Sequence, residues 1–403
     1  MHNKIIPGAF AILKFKKKVV KKIIFYSFFL QVFFNVQTSV FAQDSSHIRV
    51  SLLTCSPGDE IYSAFGHSAL RITDSSSISD IVFNYGTFNF DEPDFYTNFL
   101  KGKLLYYVST MYFADFKEEY QSTNRSITEQ VLNLSAGEKI ALEKFLYNNV
   151  KEENKYYRYD FFLDNCTTRL RDIIVKYKTN YPPLKPTMPA NTTFRQAIHN
   201  NLEKHGKYWI NLGIDILFGV PSDAIMTTEQ TEFLPDNLML ALDNSNQQKQ
   251  LLLSTTNLYS LKSDNNKQSF FTPLIVFSLL LLFIVALSLA NKNPAIIFLN
   301  GFDGLLFFLT GALGILFVFI WAATGHLMLK TNFNLLWAWP THVIIAFFVN
   351  NKSSWIKNYF AVTAAGLIIV LLSWFFLPQQ MNNALLPIVL ILLYRSIRRF
   401  QAF

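Results

Sequence analysis

Cysteine is nearly missing from this chain. Two occur in 403 residues, Cys55 and Cys166. At most one intrachain disulfide can form, and no Cys/His spacing of the zinc type is present. Neither a metal nor a cofactor is implied. Charge is scarce as well: 16% of the residues are charged, against 51% hydrophobic with 40 Phe. That composition excludes an ordinary soluble protein. The net charge of +8 does not mark a nucleic-acid surface. The excess lies in "KFKKKVVKK" near the start and "RSIRRF" near the end. Basic clusters beside hydrophobic segments act as orientation signals in membranes.

What is present divides the chain into four parts. Residues 1–42 read as a signal peptide: a basic stretch, the apolar "IIFYSFFLQVFF", then "SVFA" with Val40 and Ala42 at the −3 and −1 positions. An uncleaved anchor helix is the alternative, and either one exports the segment after it. Residues 43–243 read as an α+β domain. "HIRVSLLT", "HSALRIT", "DIVFNYGTF", "LLYYVSTM" and "ITEQVLNL" are strand candidates. "SAGEKIALEKFLYNNV" is a helix with Ser135 and Glu138 spaced as a capping box. "FRQAIHNNL" and "YWINLGIDILFG" also read as helices. Residues 244–268 are polar and read as a linker.

Residues 269–403 carry five hydrophobic segments, at about 271–290, 302–323, 335–349, 359–377 and 385–394. The expectation is an all-α transmembrane bundle of about five helices. The first, second and fourth approach or reach the roughly 20 residues that cross a bilayer. The third and fifth are short enough to be tilted, extended or re-entrant. Five passes from an exported domain place the C-terminus in the cytoplasm. Lys292, Lys352, Lys357, Arg395, Arg398 and Arg399 then fall inside, with Lys330 in a short outer loop.

The chemistry centres on "YDFFLDNCTTRLRD". Cys166 stands near position N2 of a helix, with Asp164 or Asn165 as N-cap. A helix start stabilises a thiolate and lowers its pKa. A base is offered by "FGHSALRI", where His67 sits at a strand edge after Gly66. Asn84 is the best candidate for a third, orienting group and Tyr85 the second. Cysteine at a helix start against histidine on a sheet is the papain arrangement, but here the histidine comes first, so the fold would be circularly permuted. The competing expectation is a Cys55–Cys166 disulfide, which would leave no nucleophile.

The ordered run "LLTCSPGDEIYSAFGHSALRI", "FNYGTF", "YDFFLDNCTTRLRD", "GIDILFG" and "FLPDNL" resembles the Lnb family of bacterial inner-membrane proteins. The resemblance implies a periplasmic, permuted papain-like domain on a multi-span tail and a role in lipoprotein N-acylation, with His67 and Cys166 at the family's His and Cys positions. The implied reaction moves a fatty acyl chain through a Cys166 thioester to the N-terminal amine of a diacylglyceryl-cysteine lipoprotein. Membrane phospholipid and lipoprotein would be the substrates. A Cys/His peptidase or amidase, and a non-catalytic membrane assembly protein, are the rivals.

Other polar residues admit two readings. Arg71 shares a face with His67 by strand parity and could meet a phosphate or form a structural ion pair. Tyr85, Asp164 and Asn165 could contact substrate, the last two also as caps. His326 lies in the outer loop with Asn332, Asn334, Trp337 and Pro340, an ordinary interfacial set or a lipid entrance. Asp215 and Asp223 are expected to pair or cap, His342 to be buried in the bundle, and His199 and His205 to lie on the surface.

Overall fold

The computed structural model describes residues 46–260, 270–290 and 292–403. The expected signal peptide lies outside these residues, as does 261–268 of the expected linker.

Seven antiparallel strands form one sheet in the order β6-β4-β3-β2-β1-β5-β7. They are β1 (Ile48–Cys55), β2 (His67–Asp74), β3 (Ser79–Thr87), β4 (Leu105–Tyr112), β5 (Ile127–Leu132), β6 (Tyr156–Arg158) and β7 (Leu252–Tyr259). Alternation sends Val50, Leu52, Leu70, Ile72 and Phe83 to one face and Leu53, Cys55, Ala69, Val82 and Ile127 to the other. The first face is covered by α3 (Ala136–Asn149) and α4 (Cys166–Tyr177), through Leu142, Leu146, Leu170, Ile173 and Ile174. The second is covered by Phe116 and Tyr120 of α2 (Phe113–Ser122). The short α1 (Phe95–Lys101) precedes β4. The Ser135–Glu138 capping box is present at the start of α3.

β7 corrects the linker reading. It lies inside 244–268, yet it pairs with β5 along its length and ends the sheet. Its residues "LLSTTNLY" are mostly exposed, as an edge strand's can be, so they lack the apolar alternation by which strands are read.

Three further helices complete this part: α5 (Phe194–Lys204), α6 (Tyr208–Leu217) and α7 (Pro235–Ser245). Asp215 and Asp223 both pair with the buried Arg195 of α5. His199 Nε2 lies 3.1 Å from Asp215 Oδ1. His199 and His205 are thus half-buried rather than surface residues; the polar sequence around them concealed a charged core.

The tail holds α8 (Pro273–Ala290), α9 (Asn293–Ala323), α10 (His342–Ala346), α11 (Ser354–Ser373) and α12 (Leu386–Gln401). Among the described residues α8, α9 and α11 are long and apolar enough to cross a membrane. α9 starts well before the expected boundary. Asp303 lies within it, buried and paired with Arg395 and Arg399, so the helix runs through. The third segment is not a long helix. Pro340 interrupts it, and it lies on α9 at backbone contact: a Cβ on Gly311 would stand 2.2 Å from Val343 N, and one on Gly314 2.0 Å from Ala338 O.

Contacts at the two ends order these segments. One end touches the sheet-bearing part. There Trp209 Nε1 donates to Phe271 O (2.9 Å), Gly325 N to Lys101 O (3.0 Å), Asn334 Nδ2 to Ile216 O (3.1 Å) and Asn382 Nδ2 to Asp215 Oδ2 (2.8 Å). The other end is held by Arg395 and Arg399, which reach Ser288, Asn300, Asp303 and Asn350. The chain therefore runs between the ends five times, once mainly through turns and the short α10. α12 finishes away from the sheet.

Candidate active site

Cys166 is the first residue of α4. Asn165 is the N-cap: its Oδ1 accepts from the Thr167 and Thr168 amides at 2.8 and 2.9 Å. Thr168 Oγ1 in turn accepts from the Asn165 amide at 2.8 Å, closing the box. Cys166 thus occupies N1 rather than the expected N2. Its own amide is the one this cap leaves over.

His67 is the first residue of β2. Gly66 turns the chain into it at φ +86, and a Cβ there would stand 2.6 Å from Cys55 O. Only glycine fits both conditions. His67 and Cys166 are close neighbours, near enough that the charge state of each shifts the other's. Behind His67, Nε2 meets Asn84 Oδ1 at 3.1 Å. With Nε2 given to Asn84, Nδ1 is left for the thiol. Asn84 sits where β3 bulges, between Asn84 and Thr87. Gly86 in that bulge has φ +88, and a Cβ on it would lie 3.6 Å from both Cys166 Cβ and a Tyr159 ring carbon. The bulge is where the β3 backbone comes close to the cysteine.

The charges reinforce one another. Burial pushes the Cys166 thiol up, but the His67 charge, the Ser68 amide and the Thr167 hydroxyl outweigh it and hold the thiol below its ordinary value. Burial pushes His67 down, and Cys166 and Asn84 together raise it above the ordinary imidazole value. Both shifts favour a thiolate–imidazolium pair. Cys166 is only half-buried, so a substrate can reach it.

Both cysteines are free thiols, and no Cys55–Cys166 disulfide is formed. Cys55 pairs with His67 across β1 and β2, but it is fully buried on the second face. Burial pushes its pKa up to about 12. It is not an activated group.

The other candidates lie elsewhere or are engaged. All three Arg71 guanidinium nitrogens are taken, two by Asp80 at 2.7 Å and one by Glu129 at 3.0 Å, and the group stacks on Phe113. Tyr85 points into the core, its hydroxyl donating to Asn149 Oδ1 at 2.6 Å. Asp164 pairs with Arg169 at 2.6 Å. Asn165 caps, and its Nδ2 donates to Phe161 O and Phe233 O. Each of the four thus has a partner within the fold. His326 lies away from the cysteine, its Nε2 2.9 Å from Phe99 O on α1.

Three neighbours of the cysteine escaped the sequence reading. Ser68 Oγ and Thr167 Oγ1 lie 3.1 Å apart, tying β2 to α4 beside the His67–Cys166 pair. Tyr159 flanks the cysteine. Ser68 and Thr167 adjoin the two reactive residues in the chain, which was the available signal. Tyr159 carried none beyond its place at the head of the cysteine stretch.

Comparison with known proteins finds two family models that match the chain. Residues 41–199 match the Lnb N-terminal periplasmic domain and residues 265–402 the Lnb transmembrane domain. No curated protein and no solved structure matches the chain significantly. The first match holds His67, Asn84 and Cys166; the second holds the helical tail with its three membrane-length helices. Matched in both parts, the chain belongs to the Lnb family.

Proposed function

We propose that this protein is a thiol-dependent acyltransferase of the bacterial inner membrane that N-acylates lipoproteins. The observation that carries the reading is His67 in contact with Cys166 and held from behind by Asn84. In this reading the sheet-bearing part is a permuted papain-like domain in the periplasm, and the C-terminus is cytoplasmic.

The Cys166 thiolate attacks an ester carbonyl of a membrane lipid. The new C–S bond displaces the alcohol, which takes its proton from His67. The α-amine of a diacylglyceryl-cysteine lipoprotein then attacks the thioester. Its C–N bond forms as the C–S bond breaks, His67 accepts the amine proton, and the thiolate is regenerated. The Cys166 amide, left over by the Asn165 cap, is placed to donate to the oxyanion in both steps. Asn84 keeps the imidazole in the tautomer that serves the sulfur.

A peptidase or amidase could use the same three residues. The five membrane passes favour a lipid-borne substrate. The test is a strain whose only copy carries Cys166→Ala. Lipoproteins from it should lack the N-acyl mass while the protein still accumulates in the membrane. Normal triacylation would sink the proposal.

A further inference from the structure

Between the membrane end of α9 and Cys166 lies a continuous file of aromatic rings. α9 is a 31-residue apolar helix ending at Ala323. Two residues on, Gly325 N donates to Lys101 O at 3.0 Å, and His326 Nε2 bonds to Phe99 O at 2.9 Å. α1 therefore sits at the outer end of a membrane span. From it the file runs inward: Phe99 to Phe95 at 6.3 Å between ring centres, Phe95 to Phe88 at 5.9 Å, Phe88 to Tyr106 at 5.4 Å and Tyr106 to Tyr159 at 4.3 Å. Tyr159 and Cys166 both abut the Gly86 position. At the outer end the rings are not covered: Tyr96 is 73% and Phe99 49% exposed. Lys101 and Lys103 beside them are exposed cations, of the kind that attracts anionic lipid headgroups.

We propose that this file is the binding track for a long acyl chain of a bilayer lipid, leading from the outer leaflet to Cys166. The occupant is set by where the track begins and ends. It opens at the end of a membrane helix, where the apolar neighbour is lipid, and it closes on the nucleophile. A chain laid along it carries its ester carbonyl to the sulfur while the apolar tail stays out of water. The inference rests on the acyl-transfer reading and adds to it a place for the chain.

The experiment uses the full-length protein in phosphatidylethanolamine/phosphatidylglycerol vesicles and reads the acyl mass on the Cys166 peptide. Two donors are compared, a palmitoyl phospholipid and the water-soluble p-nitrophenyl butyrate. For the exposed double variant Tyr96→Ser/Phe99→Ser, palmitoyl transfer should fall about tenfold or more while butyryl transfer stays within about twofold. Equal loss with both donors, or no loss with either, overturns the track. If wild-type Cys166 takes neither acyl group, the acyl-transfer reading itself fails. A second measurement then decides the track alone. Photoreactive benzoylphenylalanine at Phe88 should capture the palmitoyl chain, whereas at Ile78, on the exposed β2–β3 turn, it should not. Equal capture at both positions, or capture of a protein at Phe88, overturns it.

Discussion

His67 Nε2 and Asn84 Oδ1 lie 3.1 Å apart, joining the first residue of β2 to the bulge of the neighbouring β3. The contact holds the ring from one side and engages Nε2, which leaves Nδ1 free for the neighbouring thiol. Replacing Asn84 by Ala frees the ring, and acyl-enzyme formation should slow about 10- to 100-fold. Asn84→Asp still offers an acceptor and should recover much of the rate. Single-turnover kinetics of Cys166 acylation separate the two variants. Equal rates for Ala and wild type would remove Asn84 from the mechanism.

The paired shifts set a pH dependence. Cys166 is held low by His67, so its reaction with iodoacetamide should already be rapid below the ordinary thiol range. His67→Ala removes the cation. The thiol pKa then rises, and the midpoint of the alkylation profile should move to higher pH. For acyl transfer the sign at the alkaline side is opposite: rate is lost as pH rises through the raised His67 value, because the leaving alcohol needs that proton. An unshifted alkylation profile in His67→Ala would contradict the pairing.

Cys55 and Cys166 should differ sharply toward thiol reagents. Native protein should be labelled at Cys166 alone, and at Cys55 only after unfolding. Cys55→Ala should retain transfer activity and cost about 1 kcal/mol of stability. Peptide mapping after labelling checks the first point and lipoprotein mass spectra the second.

Glu232 offers a stability test apart from catalysis. Burial, opposed by Arg171, raises its pKa to about 7. A carboxyl raised on folding binds more protons folded than unfolded, so stability falls as pH rises from its unfolded value through about 7. Glu232→Gln cannot ionise. It should stabilise the protein by about 1–2 kcal/mol at pH 8 and by little at pH 5. Thermal unfolding in detergent at the two pH values measures this, and an equal effect at both would contradict the assignment.

Gly219 is a sensitive point between the α6 region and the outer loop. Its amide bonds to Met328 O at 2.9 Å, and a Cβ there would stand 1.7 Å from Lys330 O. Gly219→Ala must push the loop away and should cost about 1–3 kcal/mol or more. Limited proteolysis within residues 324–341 should accelerate in the variant while α4 stays protected.

Much of the fold was legible because local periodicity and burial agree in it. β1 to β5 alternate and sit in the middle of the sheet, so their sequences show it. The Ser135 and Asn165 caps are read from residues three apart. β7 was not legible, because an exposed edge strand held by backbone hydrogen bonds leaves little side-chain pattern. Nor was the start of α9, since Asp303 near its beginning is paired with arginines nearly a hundred residues away.

At the candidate site the division is the same. The sequence by itself determined that Cys166 would open a helix and that His67 would stand on a strand after a glycine, because caps and glycine turns act over a few residues. It also set Asn84 and Tyr85 on opposite faces, since neighbours in a strand alternate. Tertiary packing settles which of them faces His67 and which enters the core. It alone decided that Arg71 is consumed by Asp80 and Glu129 and that Cys55 lies sealed in the core. Each of those outcomes depends on contacts between separate elements, for which the local sequence pattern carries no signal.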